Sequence, residues 1–130
     1  MKLTEGIYCY PWTNMFENNC NTYVFKSEDG LILIDPGLKK YVPALLISMK
    51  NDGIDPDDIT LIINTHSHPD HLDGDGYFID NTNLQMTMHE EEEIFLENIG
   101  KDFFPMFGLD MPQYRIDFYI KEGKQKLITQ

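Results

Sequence analysis

Three of the four histidines in this 130-residue sequence fall in one short stretch, together with an aspartate. The stretch has the form His-x-His-x-Asp-His, and its fixed positions are His66, His68, Asp70 and His71. Imidazole nitrogen and carboxylate oxygen are ligands that suit zinc, iron or manganese, and zinc is the default ion of a hydrolytic site. The spacing therefore predicts a divalent-metal site, and an accidental histidine-rich surface loop is the weaker explanation.

The alternation of the ligands predicts how they divide between ions. On an extended segment residues i and i+2 point the same way, so His66 and His68 can bind one ion together. Pro69 then turns the chain, so that Asp70 and His71 can face a second ion close by. Two ions about 3.5–4 Å apart share a water, lower its pKa and polarise a carbonyl or phosphoryl oxygen. This chemistry is hydrolysis.

Two apolar runs must position the cluster. Residues 59–63 are apolar apart from Thr60 and lead directly into the histidines, as expected of a buried strand. Residues 31–34 form a second such run, which ends in the carboxylate of Asp35 and the chain reversal Pro36-Gly37. A turn signal at residues 28–30 pairs this run with a strand at residues 20–26, and apolar spacing predicts a helix over residues 40–52.

The remaining elements complete a mixed α/β pattern. We predict a helix at residues 90–99, and His89 before its run of glutamates is expected to start that helix rather than bind metal. The apolar segment 102–112 carries two prolines and a glycine, which predicts a loop or broken helix that must be buried against something. Further strands are predicted at residues 5–10, 84–88, 114–121 and 125–129, and a short helix at 72–79. This order predicts one domain with a mixed sheet and helices over at least one face.

Composition limits the classes of partner and compartment. The net charge is −12, which disfavours nucleic acid as a partner. No window approaches the length of a membrane span and the N-terminus has no signal-peptide pattern, so we expect a cytoplasmic protein without a membrane partner. Cys9 and Cys20 are then expected to be free thiols, and nothing favours the alternative disulfide between them. The aromatic side chains of the 11–19 loop either border the site or cover the edge of the sheet.

The motifs resemble those of the metallo-β-lactamase superfamily, an αββα sandwich. The residues that carry the resemblance are Asp35-Pro36-Gly37 after a buried strand and, after a helix and another strand, the His-x-His-x-Asp-His motif of residues 66–71. The resemblance implies that His66 and His68 bind the first metal and that Asp70 and His71 bind the second. It also implies that Asp70 orients or deprotonates the attacking water. Asp35 is implied to support residues 65–71, here called the metal loop, from behind.

The resemblance runs over nearly the whole chain but covers only the N-terminal half of the family fold. In the family, a later histidine in a Gly-His-Thr-like turn, a bridging aspartate and a final histidine complete the site. Nothing after His71 matches these motifs. Three explanations are open: a piece truncated from a longer hydrolase, a natural half-fold that pairs with itself or another chain, or a module that has lost catalysis. A half-sandwich exposes an apolar sheet face, so a homo-oligomer or a missing C-terminal half is the expected partner.

The resemblance implies a metal-dependent hydrolase acting on a small molecule, namely an ester, thioester, lactone, amide or phosphoester. Activities like those of glyoxalase II or of lactonases are the commonest expectation for a short acidic member. The flavodiiron branch of the family usually has glutamate at the position of His68, which disfavours a redox role. The competing hypothesis is a non-catalytic metal-binding or structural half-fold that needs a partner chain.

Overall fold

Residues 1–14 and 17–121 are described by a computed structural model. The strands are β1 (Lys2–Thr4), β2 (Ile7–Tyr10), β3 (Thr22–Ser27), β4 (Gly30–Ile34), β5 (Ile59–Asn64), β6 (Gln85–His89) and β7 (Phe118–Ile120). The α-helices are α1 (Val42–Asn51), α2 (Pro69–Leu72), α3 (Glu90–Asn98) and α4 (Phe103–Met106), and single 3-10 turns lie at Lys39–Tyr41, Pro56–Asp58, Asp73–Phe78 and Gly100–Asp102.

The seven strands form one mixed sheet whose spatial order is the order of the chain. Strands β1 to β4 pair antiparallel, and the predicted hairpin between β3 and β4 is confirmed by the pairing of Ser27 with Gly30. Strands β4 to β7 pair parallel. Since Ile34 pairs with Ile63, the carboxyl ends of β4 and β5 meet at one edge of the sheet. The segments that follow these strands, with Asp35 and the histidine cluster, are therefore neighbours.

One face of the sheet is covered by helices, as expected. The larger core cluster joins alternate residues of the sheet, among them Val24, Leu33 and Ile62, to Val42 and Met49 of α1. A second cluster lies nearer the histidines and consists of Leu72, Met88, Leu96 and Phe104, all fully buried. It fastens α2, α3 and α4 to β6. The metal loop therefore rests on a packed layer rather than on solvent.

The opposite face of the sheet is also apolar. Strand alternation places Tyr23, Phe25, Ile32 and Ile34 on that face, because Tyr23 pairs with Ile34 and Phe25 with Ile32. All four retain solvent exposure, and Tyr23 is 37% exposed. A row of apolar side chains at this level of exposure is a surface available for a further layer.

Two strand predictions need correction. The strand predicted at residues 5–10 is shorter, and β1 precedes it; β1 was missed because it is an exposed three-residue edge strand without alternation. The strand predicted at residues 114–121 is only three residues long, because Tyr114 and Ile116 pack against the second core cluster instead of pairing in the sheet. The Arg115 guanidinium donates to the carbonyl oxygens of three residues, Ile79, Asn81 and Leu84, and holds this segment against the chain that leads into β6.

Two further segments differ in detail. The helix predicted at residues 72–79 is the short helix α2 followed by a 3-10 turn, consistent with the weakening effect of Gly74 and Gly76. The 102–112 segment is a broken helix as predicted: a 3-10 turn leads into α4, and Phe104 anchors it in the core. The strand predicted at residues 125–129 and the side chains of Met15 and Phe16 lie outside the described residues.

Other predictions about the chain are confirmed. The fold is mixed α/β, and both cysteines are buried free thiols. His89 begins α3, where its Nδ1 accepts a hydrogen bond of 3.1 Å from the Glu91 amide. No helix in the described ranges is long and apolar enough to cross a bilayer.

Candidate metal centre

Asp35 occupies the turn after β4 in a backbone conformation that few residues adopt. Its φ is 57°, and among the described residues it is the one non-glycine with a positive φ. The backbone amide donates to the carbonyl of Ile63 at 2.9 Å, and the carbonyl accepts from the Thr22 hydroxyl at 2.7 Å. Left-handed backbone at a non-glycine position persists when surrounding contacts fix it, and aspartate tolerates it better than most residues. The result is a buried carboxylate aimed at the histidine cluster.

The two oxygens of Asp35 bind both ends of the metal loop. Oδ1 accepts a hydrogen bond from the Thr65 amide at 2.8 Å. Oδ2 accepts from the Thr65 hydroxyl and from Nδ1 of His71, the latter at 3.0 Å. Three donors therefore converge on one carboxylate, which joins the start of the loop to its last histidine.

These hydrogen bonds determine the tautomers of two histidines. A carboxylate only accepts, so the proton between Asp35 and His71 belongs to Nδ1 of His71. The Thr65 hydroxyl gives its single hydrogen to Asp35, so at 2.9 Å from His66 it accepts from Nδ1 of that ring. Both His66 and His71 consequently keep a lone pair on Nε2. This is the arrangement that second-shell partners impose on metal-binding histidines.

Electrostatics around His71 favour a bound cation. The Asp35 carboxylate raises the pKa of His71 through its hydrogen bond, while burial of the ring opposes the shift. The charges of Asp70 and Glu92 act in the same direction as Asp35. Nε2 of His71 and Oδ2 of Asp70 lie 3.9 Å apart. Ligand atoms on one tetrahedral zinc ion are separated by about 3.4 Å, so a small adjustment lets both hold one ion.

The structure groups three possible ligands more tightly than the others. One ligand atom from each of Asp35, His66 and His71 lies within 4.8 Å of the other two. The rings of His66 and His71 are 4.9 Å apart between centroids. His68 is not a member of this group; its ring centroid is 5.9 Å from that of His66 and 6.0 Å from that of Phe95. Neutral imidazoles next to carboxylates fit a divalent transition metal.

Within the tight group, Asp35 and the two histidines differ in which atoms are still without a hydrogen bond. Both oxygens of Asp35 already accept hydrogen bonds from the metal loop, whereas Nε2 of each histidine is left for a ligand. This favours Asp35 as the residue that orients the rings. His66 and His71, with Asp70 beside them, are the candidate donors to a metal.

Sequence reasoning missed a carboxylate from α3 that holds the middle of the loop. Glu92 Oε1 accepts from the amide of Ser67 at 2.8 Å and from its hydroxyl at 3.2 Å. Ser67 is fully buried between His66 and His68, so its amide needs this partner. The helix dipole alone favours acidic residues at the start of α3, so the sequence gives no separate signal for the role of Glu92.

The turn after β4 and the segment after the histidines are fastened to each other through glycines. The Gly37 amide donates to the carbonyl of His71 at 3.3 Å, and the Gly74 amide donates to the carbonyl of Gly37 at 2.6 Å. A Cβ on Gly74 would lie 2.7 Å from the Gly37 oxygen and 2.9 Å from Pro36 Cβ. Only glycine lets these two backbones approach so closely.

Cys20 lies near the site without the properties of a ligand. Its Sγ is 3.5 Å from the carbonyl oxygen of Asp35. Burial, together with the charges of Asp35 and Asp70, raises the pKa of Cys20 to about 12. The thiol is therefore protonated at neutral pH, and metals bind the thiolate.

A cleft opens beside the cluster. It has a volume of about 540 Å³, and both His68 and Asp70 line it. Its far wall consists of apolar side chains from the segment after α3, and its near wall includes Glu17 and Lys40, which form an ion pair. The metal loop therefore faces a space that can hold a small molecule.

Comparison with known proteins decides the family. The sequence profile of the metallo-beta-lactamase superfamily matches residues 15–128. The chain belongs to the metallo-beta-lactamase superfamily. Metallo-beta-lactamase domain-containing protein 1 of Mus musculus is 41% identical over 49 residues, which are 38% of this chain and 19% of that protein. Its counterpart in Rattus norvegicus is 34% identical over 62 residues, covering 48% of this chain and 25% of that protein.

Solved structures of the superfamily share the fold. The metallo-beta-lactamase with the HARLDQ motif from Cronobacter sakazakii superimposes with a TM-score of 0.77 at 22% identity, over 98% of this chain and 50% of that chain. BJP-1, a subclass B3 metallo-beta-lactamase of Bradyrhizobium japonicum, gives 0.67 at 28% identity, over 83% and 41%. The chain thus spans at most about half of these structures, and its mixed sheet and helices match a part of the metallo-beta-lactamase fold.

Proposed function

We propose that this chain is the metal-binding part of a hydrolase of the metallo-beta-lactamase superfamily. One observation carries the proposal: the side chains of Asp35, His66 and His71 converge where β4 and β5 end, with potential ligand atoms within 4.8 Å of one another, and Asp35 orients the two rings. The preset Nε2 lone pairs of His66 and His71 support a divalent metal as the occupant, and zinc suits a hydrolytic site with such ligands. His68 and Asp70 complete the proposed ligand set on the side of the cleft.

Each residue has a proposed task in hydrolysis. A divalent ion at such a site supplies an activated water and polarises the carbonyl or phosphoryl oxygen that is attacked. Asp70 would orient that water and accept its proton, since its Oδ2 is 3.9 Å from Nε2 of His71 and the residue lines the cleft. Asp35 fixes the tautomers of His66 and His71, and Glu92 fixes the backbone between His66 and His68. The substrate is a small ester, thioester, lactone, amide or phosphoester.

Metal analysis and an esterase assay on the same preparation test this function. We expect bound zinc, iron or manganese by mass spectrometry and a hydrolysis rate that a chelator removes and added metal restores. His68→Ala is expected to abolish the rate while circular dichroism stays unchanged, because this exposed side chain has no role in the core. A metal content far below one ion per chain, with no metal-dependent turnover, would contradict the proposal for this chain.

The half-exposed apolar face of the sheet favours a second proposal, that the functional form includes another layer. A second copy of the chain, or another polypeptide, covers the face that carries Tyr23, Phe25, Ile32 and Ile34 and supplies the missing ligands. In this case the isolated chain is a non-catalytic half-fold. Light scattering together with the metal content separates the cases: a monomer with full metal occupancy and turnover would contradict the need for a partner.

A further inference from the structure

The apolar wall of the cleft is formed by one short segment. Phe103 and Met106 of α4, with Phe107 and Leu109 just beyond it, line the same cleft as His68 and Asp70. Met106 is 76% exposed and Phe107 is 66% exposed, although Phe104, two positions before Met106, is fully buried. The buried Phe104 fixes the segment on the core, so the exposed side chains are held at the cleft rather than being part of the core. Large apolar side chains held beside a reactive site are typical of ligand-binding walls.

The wall is connected to the metal loop by aromatic contacts. The ring of His68 lies 6.0 Å from that of Phe95 between centroids, and Phe95 lies 6.4 Å from Phe103. Phe95 therefore links His68 to Phe103 of the wall through neighbouring rings. A substrate whose cleaved bond lies at His68 and Asp70 would therefore have its adjoining group next to Phe103.

The charges in the cleft favour an uncharged group at the wall. Lys40 is the one lysine or arginine among the lining side chains that the structure describes, and its Nζ is already paired with Glu17. The same Nζ lies 5.1 Å from the centroid of the Tyr41 ring. The other charged lining residue is Asp70. Apart from a metal held at the histidines, no unpaired lysine or arginine among the described lining residues is available for an anionic ligand, while the apolar side chains favour burial of hydrocarbon.

We infer that the wall of Phe103, Met106, Phe107 and Leu109 selects substrates with an uncharged acyl or aryl group next to the cleaved bond. This inference rests on the proposed hydrolase function and specifies its substrate class. Met106 and Phe107 are its specificity-determining residues. Because both are exposed, their replacement should leave the fold intact.

Binding and turnover are measured separately. For binding, the probe is octanamide, with acetamide as the short homologue, followed through the methyl signals of 13C-labelled methionine. Octanamide should shift the Met106 signal, assigned by its loss in Met106→Leu, at concentrations where acetamide does not. The variant Met106→Ser/Phe107→Ser should weaken octanamide binding by about tenfold or more, since it removes most of the exposed apolar wall. Ile47→Ser, at a side chain of α1 that is 60% exposed, should leave it unchanged.

For turnover, the substrates are 4-nitrophenyl octanoate and 4-nitrophenyl acetate with the metal-loaded protein. The ratio of their kcat/KM values should favour octanoate by about tenfold or more, and the double variant should lose this preference while Ile47→Ser keeps it. Turnover without a chain-length preference, together with an unshifted Met106 signal, overturns the inference and leaves the hydrolase function intact. Octanamide binding with no turnover of either ester contradicts the hydrolase function instead. An octanamide effect equal in Ile47→Ser and the double variant indicates nonspecific adsorption and also overturns the inference.

Discussion

Asp35 Oδ2 accepts a hydrogen bond from Nδ1 of His71 at 3.0 Å, across 36 positions of the sequence. The pair joins the turn after β4 to the end of the metal loop. The two side chains can meet only because β4 and β5 run parallel and end together. Since the same carboxylate also binds Thr65, the orientation of His66 depends on it as well. One buried aspartate thus fixes two of the proposed ligands.

Replacing Asp35 by asparagine should weaken metal binding without unfolding the chain. Asparagine tolerates the left-handed backbone and can still accept from the Thr65 amide, but its nitrogen cannot accept from His71. Loss of such a supporting partner lowers metal affinity by about 10–100-fold. A zinc competition titration with a chelating indicator measures the change, and Asp29→Asn in the exposed turn between β3 and β4 is the matched control. Equal affinities in both variants would show that Asp35 does not position the ligands.

Removing the Glu92 carboxylate should destabilise the metal loop. In Glu92→Ala the buried amide of Ser67 loses its acceptor, and a hydrogen bond to a charged group contributes about 1.5–3 kcal/mol. We expect a loss of that size in the free energy of unfolding and faster hydrogen exchange at the Ser67 amide. Glu91→Ala, in the same exposed first turn of α3, is the control. If Ser67 exchange is the same in both variants, Glu92 does not hold the loop.

The sequence allowed the fold and the location of the site to be predicted because their signals are local. The spacing of the histidines and the aspartate in residues 66–71, and the apolar strands on either side, can be recognised without knowledge of distant contacts. The role of Glu92 could not be predicted, because its partner Ser67 is 25 positions away and the helix dipole already explained an acidic residue there.

The alternation of residues 114–121 illustrates a different limit. Alternating apolar residues predict a strand, yet Arg115 and Asp117 fix this segment to the backbone near β6 through side-chain hydrogen bonds. Tyr114 and Ile116 are then free to pack on the second core cluster. Tertiary contacts of this kind override a local pattern because a short parallel edge strand gains little stability from its hydrogen bonds to the neighbouring strand.

Replacing Gly74 by alanine should destabilise the junction between the two site turns. The added methyl would lie 2.7 Å from the Gly37 oxygen and 3.1 Å from Val42 Cγ2, and neither neighbour can retreat easily. Overpacking of this kind costs about 1–3 kcal/mol, measured as a lower midpoint in chemical denaturation. Gly76→Ala is the control, since its methyl would meet the flexible end of Gln113 at 3.2 Å. Equal midpoints in the two variants would contradict the proposed close approach.

Asp75 lies directly behind the metal loop as a fully buried carboxyl group. Neither of its oxygens has a hydrogen-bond partner among the described residues, and the same holds for Oδ1 of its polar neighbour Asn64. The Asn64 amide nitrogen is directed to the carbonyl of His71 at 3.4 Å, so a flipped amide would lose that contact. A neutral carboxyl group carries a donor that the carboxylate lacks, and it avoids burying a charge without a partner. Burial raises the pKa of Asp75 well above its usual range, and the charges of Asp35 and Asp73 raise it further, while Asn64 and Arg115 oppose the shift.

Asp75→Asn should therefore stabilise the protein at neutral pH. Because the pKa of Asp75 is higher in the folded chain than in the unfolded chain, the wild type loses stability as pH rises from about 4, the unfolded value, to the folded pKa. Asparagine has nearly the same shape and carries no charge, so the variant should gain about 1–3 kcal/mol at pH 7. Below pH 4 both chains carry a neutral group and the gain should vanish. Thermal denaturation from pH 3 to 8 measures the difference, with the exposed Asp80→Asn as control. A gain that does not depend on pH, or a loss at pH 7, would show that Asp75 is not a buried acid whose ionisation destabilises the fold.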